Sequence, residues 1–395
     1  MLAPQDFQQL RRELDADRFI DMARQRTGLS DFGGSDFCEA LNKLLDCAAR
    51  DAAFHAQGLE AFKGDIVRSL CNRLRMQQDI ARYPEILDED VSDPIIVVGL
   101  GRSGTTKLHK MLSAQDQVQK TLFWRLWNPA PFPDAMAGQL DPRIGAVGTS
   151  QLLSADNPVM DAAHRIAEQE VEEEWFLYTF TFADWMWCQM IYLPSYFDWT
   201  MLRPSLGAYR YVKTMLQYLQ WQDGGKRGRP WILKSVGHIA NMEALLDCYP
   251  RATLVHPHRD PHDTIPSFAK LLSSSWPLYG KPVEPHLIGA EVMRQWGTAT
   301  RRYLESRDRL GLDGRILDVD YEQVRSDPMP LVREIYRRAN RVLSPAEAER
   351  MAAWHAGNEQ GRHGRHEYSL QEFGLDEAAI DKTFGDYIRR FIKRS

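Results

Sequence analysis

The sequence predicts an α/β fold, a parallel sheet flanked by helices, with an N-terminal helical layer and helical insertions. Three observations carry this. Residues 95–98 are Ile-Ile-Val-Val, a short β-branched run of the kind a parallel sheet buries on both faces. Further apolar runs at 231–234, 252–256 and 316–319 are separated by amphipathic segments, and such alternation of strand and helix is the pattern of a parallel sheet. Residues 1–92, by contrast, carry only helical periodicity.

Composition narrows the function classes. A chain of 395 residues with 44% hydrophobic content can bury a large core. The net charge of −5 gives no bulk reason to expect nucleic acid or an anionic membrane as partner, so any anion site must be local. Five scattered cysteines without Cys-x-x-Cys spacing suggest neither a disulfide framework nor a zinc site, and fit a cytoplasmic location. The N-terminus reads as a polar helix rather than a signal peptide. The most apolar window, 175–193, is interrupted by Asp184 and Gln189 and lacks basic flanks, which argues against a transmembrane span.

Taken in order, residues 1–92 form the helical region. Phe37, Leu41, Leu44 and Leu45 make one stripe, and Phe62, Ile66, Leu70 and Leu74 another. Gly33-Gly34-Ser35-Asp36 breaks the chain between helices. This layer packs on the later core or offers a surface for a homo-oligomer. The α/β core then spans 93–395, with an insertion at about 122–225 and helices at the C-terminal end.

The core opens with Gly-Leu-Gly-Arg-Ser-Gly-Thr-Thr at 99–106, directly after the first strand. Gly99, Gly101 and Gly104 let the backbone turn sharply, and Leu108, Met111 and Leu112 place a helix from near Thr105. The free N–H groups and positive dipole end of that helix favour an anion. The spacing of Gly99 and Gly104 is that of a nucleoside-triphosphate loop, which requires Lys next, but position 105 is Thr. The loop cation is Arg102 instead. A kinase or nucleotidase would want the missing lysine and a magnesium carboxylate, and a non-catalytic nucleotide-binding scaffold is a further alternative.

Residues 122–133 form an aromatic run closed by alternating prolines, a wall near the loop. Residues 164–174, from His164 through Glu172 and Glu173, are predicted helical, with most carboxylates solvated. The aromatic segment beyond them suggests a large apolar pocket, a lid or core. Ala208 to Leu219 is amphipathic and helical. Lys234 and His238 then stand at the end of the second strand, where parallel sheets bind ligands. The third strand ends in His256, His258, Arg259 and His262, whose prolines and spacing do not suit a metal. Arg259 and Ser267, eight apart, supply a guanidinium and a hydroxyl suited to a phosphate. Residues 273–290 read as a mobile loop able to fold over the site. Tyr321 follows the fourth strand, and 358–366 is a short basic loop.

The loop at 99–106 resembles the 5′-phosphosulfate loop of sulfotransferases that use 3′-phosphoadenosine 5′-phosphosulfate (PAPS), in particular their bacterial branch. The resemblance runs over roughly residues 94–375. It implies a P-loop-type sheet, PAPS as co-substrate and 3′-phosphoadenosine 5′-phosphate (PAP) as product. Gly101, Arg102, Ser103, Gly104, Thr105 and Thr106 would then hold the 5′-phosphate, and Arg259 with Ser267 the 3′-phosphate. Tyr321 would meet the adenine, and Arg362 and Arg365 would close over the 3′-phosphate. His164 with Glu172 and Glu173 matches a His and Glu pair of the family. Arg125 stands where the bacterial branch commonly has Glu, a departure that removes one base and points to an anionic acceptor.

The expected reaction is in-line transfer of a sulfuryl group to a hydroxyl, less readily an amine, on a small and largely apolar acceptor. Arg102 and Lys234 supply cations for the leaving oxygen, so no metal is needed. His238 is the first choice for general base, with Glu173 and His164 next. Steroids, phenols, lipids and polyketide-like alcohols all fit the acceptor class.

Overall fold

The computed structural model describes residues 4–136, 138–148, 166–358 and 369–392. Four parallel strands form the sheet: β1 (Ile95–Val97), β2 (Ile232–Lys234), β3 (Thr253–His258) and β4 (Ile316–Asp320), in the spatial order β2-β1-β3-β4. Ile96 stands between Leu233 on one side and Leu254 on the other, and Val255 pairs with Leu317. All three residues of β1 are fully buried, as a central parallel strand requires. The chain leaves β1 for β2 on one side and then returns for β3 on the other. The carboxyl ends of β1, β2 and β3 therefore surround a topological switch point, the place where such sheets bind ligands.

The N-terminal helices Pro4–Glu13, Ala16–Thr27, Asp36–Asp51 and Ala56–Arg82 are not a separate body. Phe62, Ile66, Leu70 and Leu74 are all fully buried, and the Phe62 ring meets Trp187 edge-on at 5.7 Å. Arg73 donates to the carbonyl of Phe180 at 3.0 Å. The layer thus backs the aromatic insertion and continues one apolar core with it. Among the described residues, no helix is long and apolar enough to cross a membrane.

Two local expectations fail. Residues 166–174 are not helical: the amides of Phe123 and Trp124 bond the carbonyls of Glu170 and Glu168, and the amide of Glu172 bonds that of Thr121. Pairing with the neighbouring segment overrides the helix propensity of the Glu-rich run. Residues 273–290 are no open loop either. The helix Pro261–Ser275 runs on into a turn at Trp276–Leu278, and a new helix starts at Pro285. Trp276 donates its indole N–H to Cys188 O at 3.0 Å and Tyr279 its hydroxyl to Asp65 at 2.7 Å, both side chains being buried, so this stretch is pinned into the core. The aromatic segment 175–193, for which pocket, lid and core all stood open, forms short turns, Trp175–Tyr178, Thr179–Thr181 and Trp187–Met190, whose rings pack inward.

Candidate active site

Strand β1 feeds the loop, and the loop takes conformations that few residues adopt. Gly99 lies at φ 139° and Gly104 at φ 87°, and Arg102 itself sits in the left-handed region at φ 71°. At Gly104 a side chain would also press on the Tyr321 ring, 3.0 Å from where its Cβ would stand. The Ser103 hydroxyl donates to Leu100 O at 2.7 Å, so its side chain closes the loop and leaves only its amide for a ligand. The helix Thr105–Leu112 begins here, and no side chain caps its N-terminus. Its first amides remain available to an anion.

Around this loop lies a cavity of about 650 Å³, lined among others by Gly101, Thr106, Lys234, Arg259, Tyr321 and Trp354. Tertiary contacts tie its cationic members together. Arg102 donates from Nε to Ser267 Oγ at 3.0 Å, and Arg259 donates from Nη1 to Arg102 O at 3.1 Å. The Arg259 guanidinium also lies over the Tyr321 ring, 4.6 Å from its centre, and is 3.3 Å from Asp263. Lys234 donates to Thr106 Oγ1 at 3.2 Å and forms an ion pair with Glu173. Lys234 is nearly enclosed and Glu173 partly open, so the carboxylate is the member of the pair that an entering molecule meets.

A second, smaller cavity of about 90 Å³ adjoins the first, walled by Trp175, Phe176, Met186, Met190, Phe268 and Leu272. Glu173, Val236, Phe268 and Leu271 line both cavities. The larger space is thus cationic, the smaller apolar, and Glu173 stands where they meet.

Behind Glu173 is a buried polar relay. Glu174 accepts the backbone N–H of Lys234 at 2.7 Å through Oε2, and its Oε1 lies 2.7 Å from His238 Nε2. His238 Nδ1 meets the Tyr209 hydroxyl at 2.8 Å. Burial acts against a charged Glu174, but the hydrogen bond to His238 and the Lys234 amide outweigh it and hold the carboxyl below its ordinary range.

A strand-turn-helix at the switch point, with cations from three strand ends, is chemistry for an anionic group-transfer donor, and the comparison with known proteins agrees. Residues 94–345 match the Sulfotransferase family. The chain belongs to that family. It is a sulfotransferase enzyme, and the family implies use of PAPS. It is similar to the omega-hydroxy-beta-dihydromenaquinone-9 sulfotransferase Stf3 of Mycobacterium bovis and of Mycobacterium tuberculosis, at 22% identity over 338 residues, covering 80% of either chain. Among solved structures it resembles sulfotransferase STF9 from Mycobacterium avium, with 28% identity, a TM-score of 0.83 and coverage of 96% of this chain and 97% of that one. It also resembles sulfotransferase STF1 from Mycobacterium tuberculosis H37Rv, with 27% identity, a TM-score of 0.76 and coverage of 94% and 98%.

Within this sulfotransferase the sequence-predicted residues fare unequally. Arg102, Lys234, Arg259, Ser267, Tyr321 and Glu173 come together around the loop. His238 does not reach the cavity: it is 1% exposed and both ring nitrogens face buried partners, so its expected role as base is corrected. Arg125 is also no acceptor contact, since it is buried against Asp223 at 2.8 Å and Leu219 O at 2.7 Å. His164, Arg362 and Arg365 lie outside the described residues.

His256 and His258 approach Asp318 closely. His258 uses Nδ1 with Tyr387 and Nε2 with Asp318, each at 2.8 Å, while Arg307 pairs with Asp318 and Tyr303 meets His256 Nδ1. Burial pushes both imidazoles below their ordinary value, and the cluster ties the helix Glu377–Phe391 to the end of β3, just before Arg259. His262 stands apart, bonded to Asp260.

Sequence reading missed Glu174, Tyr209, Phe268 and Trp354. Glu174 is chemically indistinguishable from its neighbours in a Glu run. Trp354 sits on the helix Pro345–Gly357, far along the chain with no motif around it.

Proposed function

We propose that this sulfotransferase moves a sulfuryl group from PAPS to a hydroxyl on a small, largely apolar acceptor. The position of Glu173 carries the reading: it is paired with Lys234 and borders both the cation-lined cavity and the apolar one. The residues fit PAPS on three counts. The loop is free of side chains at Gly101 and Gly104, where a Cβ would strike Phe268 or Tyr321. The helix start offers uncapped amides, and the cavity carries Arg102, Lys234 and Arg259. The amides of 101–106 hold the 5′-phosphate; Arg259 with Ser267 holds the 3′-phosphate, and Tyr321 bounds the nucleotide beneath the loop.

Glu173 is the general base. An acceptor entering through the apolar cavity brings its hydroxyl to this carboxylate, which takes the proton as the oxygen attacks sulfur. The bond from sulfur to the 5′-phosphate oxygen breaks, and Lys234 and Arg102 stabilise the charge that develops on that oxygen. Lys234 is held for this by Thr106 in front and by its own amide on Glu174 behind. The Glu174, His238 and Tyr209 relay positions the β2 end and takes no proton from the acceptor.

Calorimetric titration tests the reading. PAP should bind tightly without magnesium and 5′-AMP much more weakly, followed by turnover of PAPS in a screen of apolar alcohols. Preference for magnesium-ATP over PAP would overturn it.

A further inference from the structure

The apolar cavity beside Glu173 has two polar residues in its wall that the reaction does not use, Ser275 and Gln189, and Ser275 spends its hydroxyl on the backbone carbonyl of Gln189 at 3.2 Å. Gln189 lines it, is 8% exposed, and has an Oε1 that is buried without a hydrogen-bond donor among the described residues. The direction of this amide is set from behind. Arg294 donates to both oxygens of Glu291, from Nε at 2.9 Å and Nη2 at 2.6 Å, which leaves Glu291 an acceptor only. Gln295 must therefore give its Nε2–H to Glu291, at 2.7 Å, and present its own Oε1 to the next group. Gln189 donates its Nε2–H to that oxygen at 2.9 Å. Turning the Gln189 amide over would set carbonyl against carbonyl. Its Oε1 is consequently fixed as a hydrogen-bond acceptor in the wall of a cavity whose other lining, Glu173 and Ser275 apart, is apolar.

A buried carbonyl left unpaired has lost its hydration for nothing, so in a native protein such a group asks for a partner. We infer that Gln189 is a specificity-determining residue whose Oε1 accepts a hydrogen bond from a second donor, an O–H or N–H, carried by the acceptor away from the hydroxyl offered to Glu173. The inference rests on the reading that the apolar cavity holds the acceptor. A site built to pair a donor rejects the analogue that lacks it, because the analogue leaves the site's own polar group buried and bare. An acceptor with hydrocarbon alone at this depth is therefore disfavoured.

The test is calorimetry on the full-length, PAP-loaded protein with a ladder of α,ω-alkanediols of increasing length, each paired with its mono-methyl ether. The ether keeps length and apolarity but loses the second donor. Within one window of chain length the diol should bind about tenfold more tightly than its ether. Gln189→Leu should erase the window while leaving PAP affinity unchanged. Gln295→Leu, which frees the amide to turn, should shrink it. Equal affinity of diol and ether at every length in the unaltered protein would overturn the inference and needs no variant. Binding of neither series would instead overturn the apolar-acceptor reading beneath it.

Discussion

The cavity proposed for the nucleotide is built around a backbone turn ringed by cationic side chains, and the one proposed for the acceptor is walled mostly by apolar side chains. On the first, one turn after β1 supplies amides, and Arg102, Lys234 and Arg259 stand at or just beyond the ends of β1, β2 and β3. On the second, the wall draws on Trp175, Phe176, Met186, Met190, Phe268 and Leu272, from elements that are short or distant in sequence. A backbone cradle tolerates little change at a few glycines. A side-chain wall can be recut residue by residue, so the two sides are suited to a constant donor and a variable acceptor.

Substitutions that strike one side alone can break this division. The largest effect is expected at the junction. Glu173→Gln should lower kcat by about 10³-fold, on the scale of losing a general base, while PAP affinity stays within a few-fold. Single-turnover kinetics with PAPS measures the first and calorimetry the second; retained turnover would move the base elsewhere. Next, Arg259→Ala should weaken PAP binding by about 2 kcal/mol, the loss of a charge-assisted phosphate contact, without changing acceptor preference. Unchanged PAP affinity would remove Arg259 from the 3′-phosphate. A smaller effect, about tenfold in kcat, is expected for His238→Gln, which disturbs the relay behind Lys234 but leaves the pH dependence of kcat in place. A lost or displaced ionisation in that profile would return His238 to the role of base.

The smallest effect separates the two sides by sign. His109 lies on the buried face of the loop helix, and burial lowers its pKa from 6.5 to about 4. Between those values the unfolded chain binds the proton and the folded one does not, so this group costs stability as the pH falls from 6.5 towards 4. Asp184, among the aromatic rings of the insertion, has its pKa raised by burial from 3.8 to about 6. Its contribution is fully present below 3.8 and is lost as the pH rises through about 6. Melting temperatures followed against pH should therefore flatten in opposite directions for His109→Gln and Asp184→Asn. Slopes that change in the same direction would refute the assignment.

The sequence by itself determined the parallel sheet, the loop and the residues at the strand ends. Each is a local statement: β-branched runs, glycines that free the backbone, and a cation placed by its distance from a strand. Arg259 and Ser267 were legible because one strand-helix unit carries both. Tertiary structure alone decided which carboxylate of the Glu run lines both cavities. Extended pairing of 166–174 with 121–124 puts Glu173 at the cavity and buries Glu174 against His238, where a helix would have spread the same residues around its circumference. It also turned His238 inward, pinned 273–290 into the core and set Gln189 in the wall of the apolar cavity. Period and propensity report how a segment folds against itself, whereas these outcomes depend on partners about 30 to more than 200 residues away, whose identity no local pattern encodes.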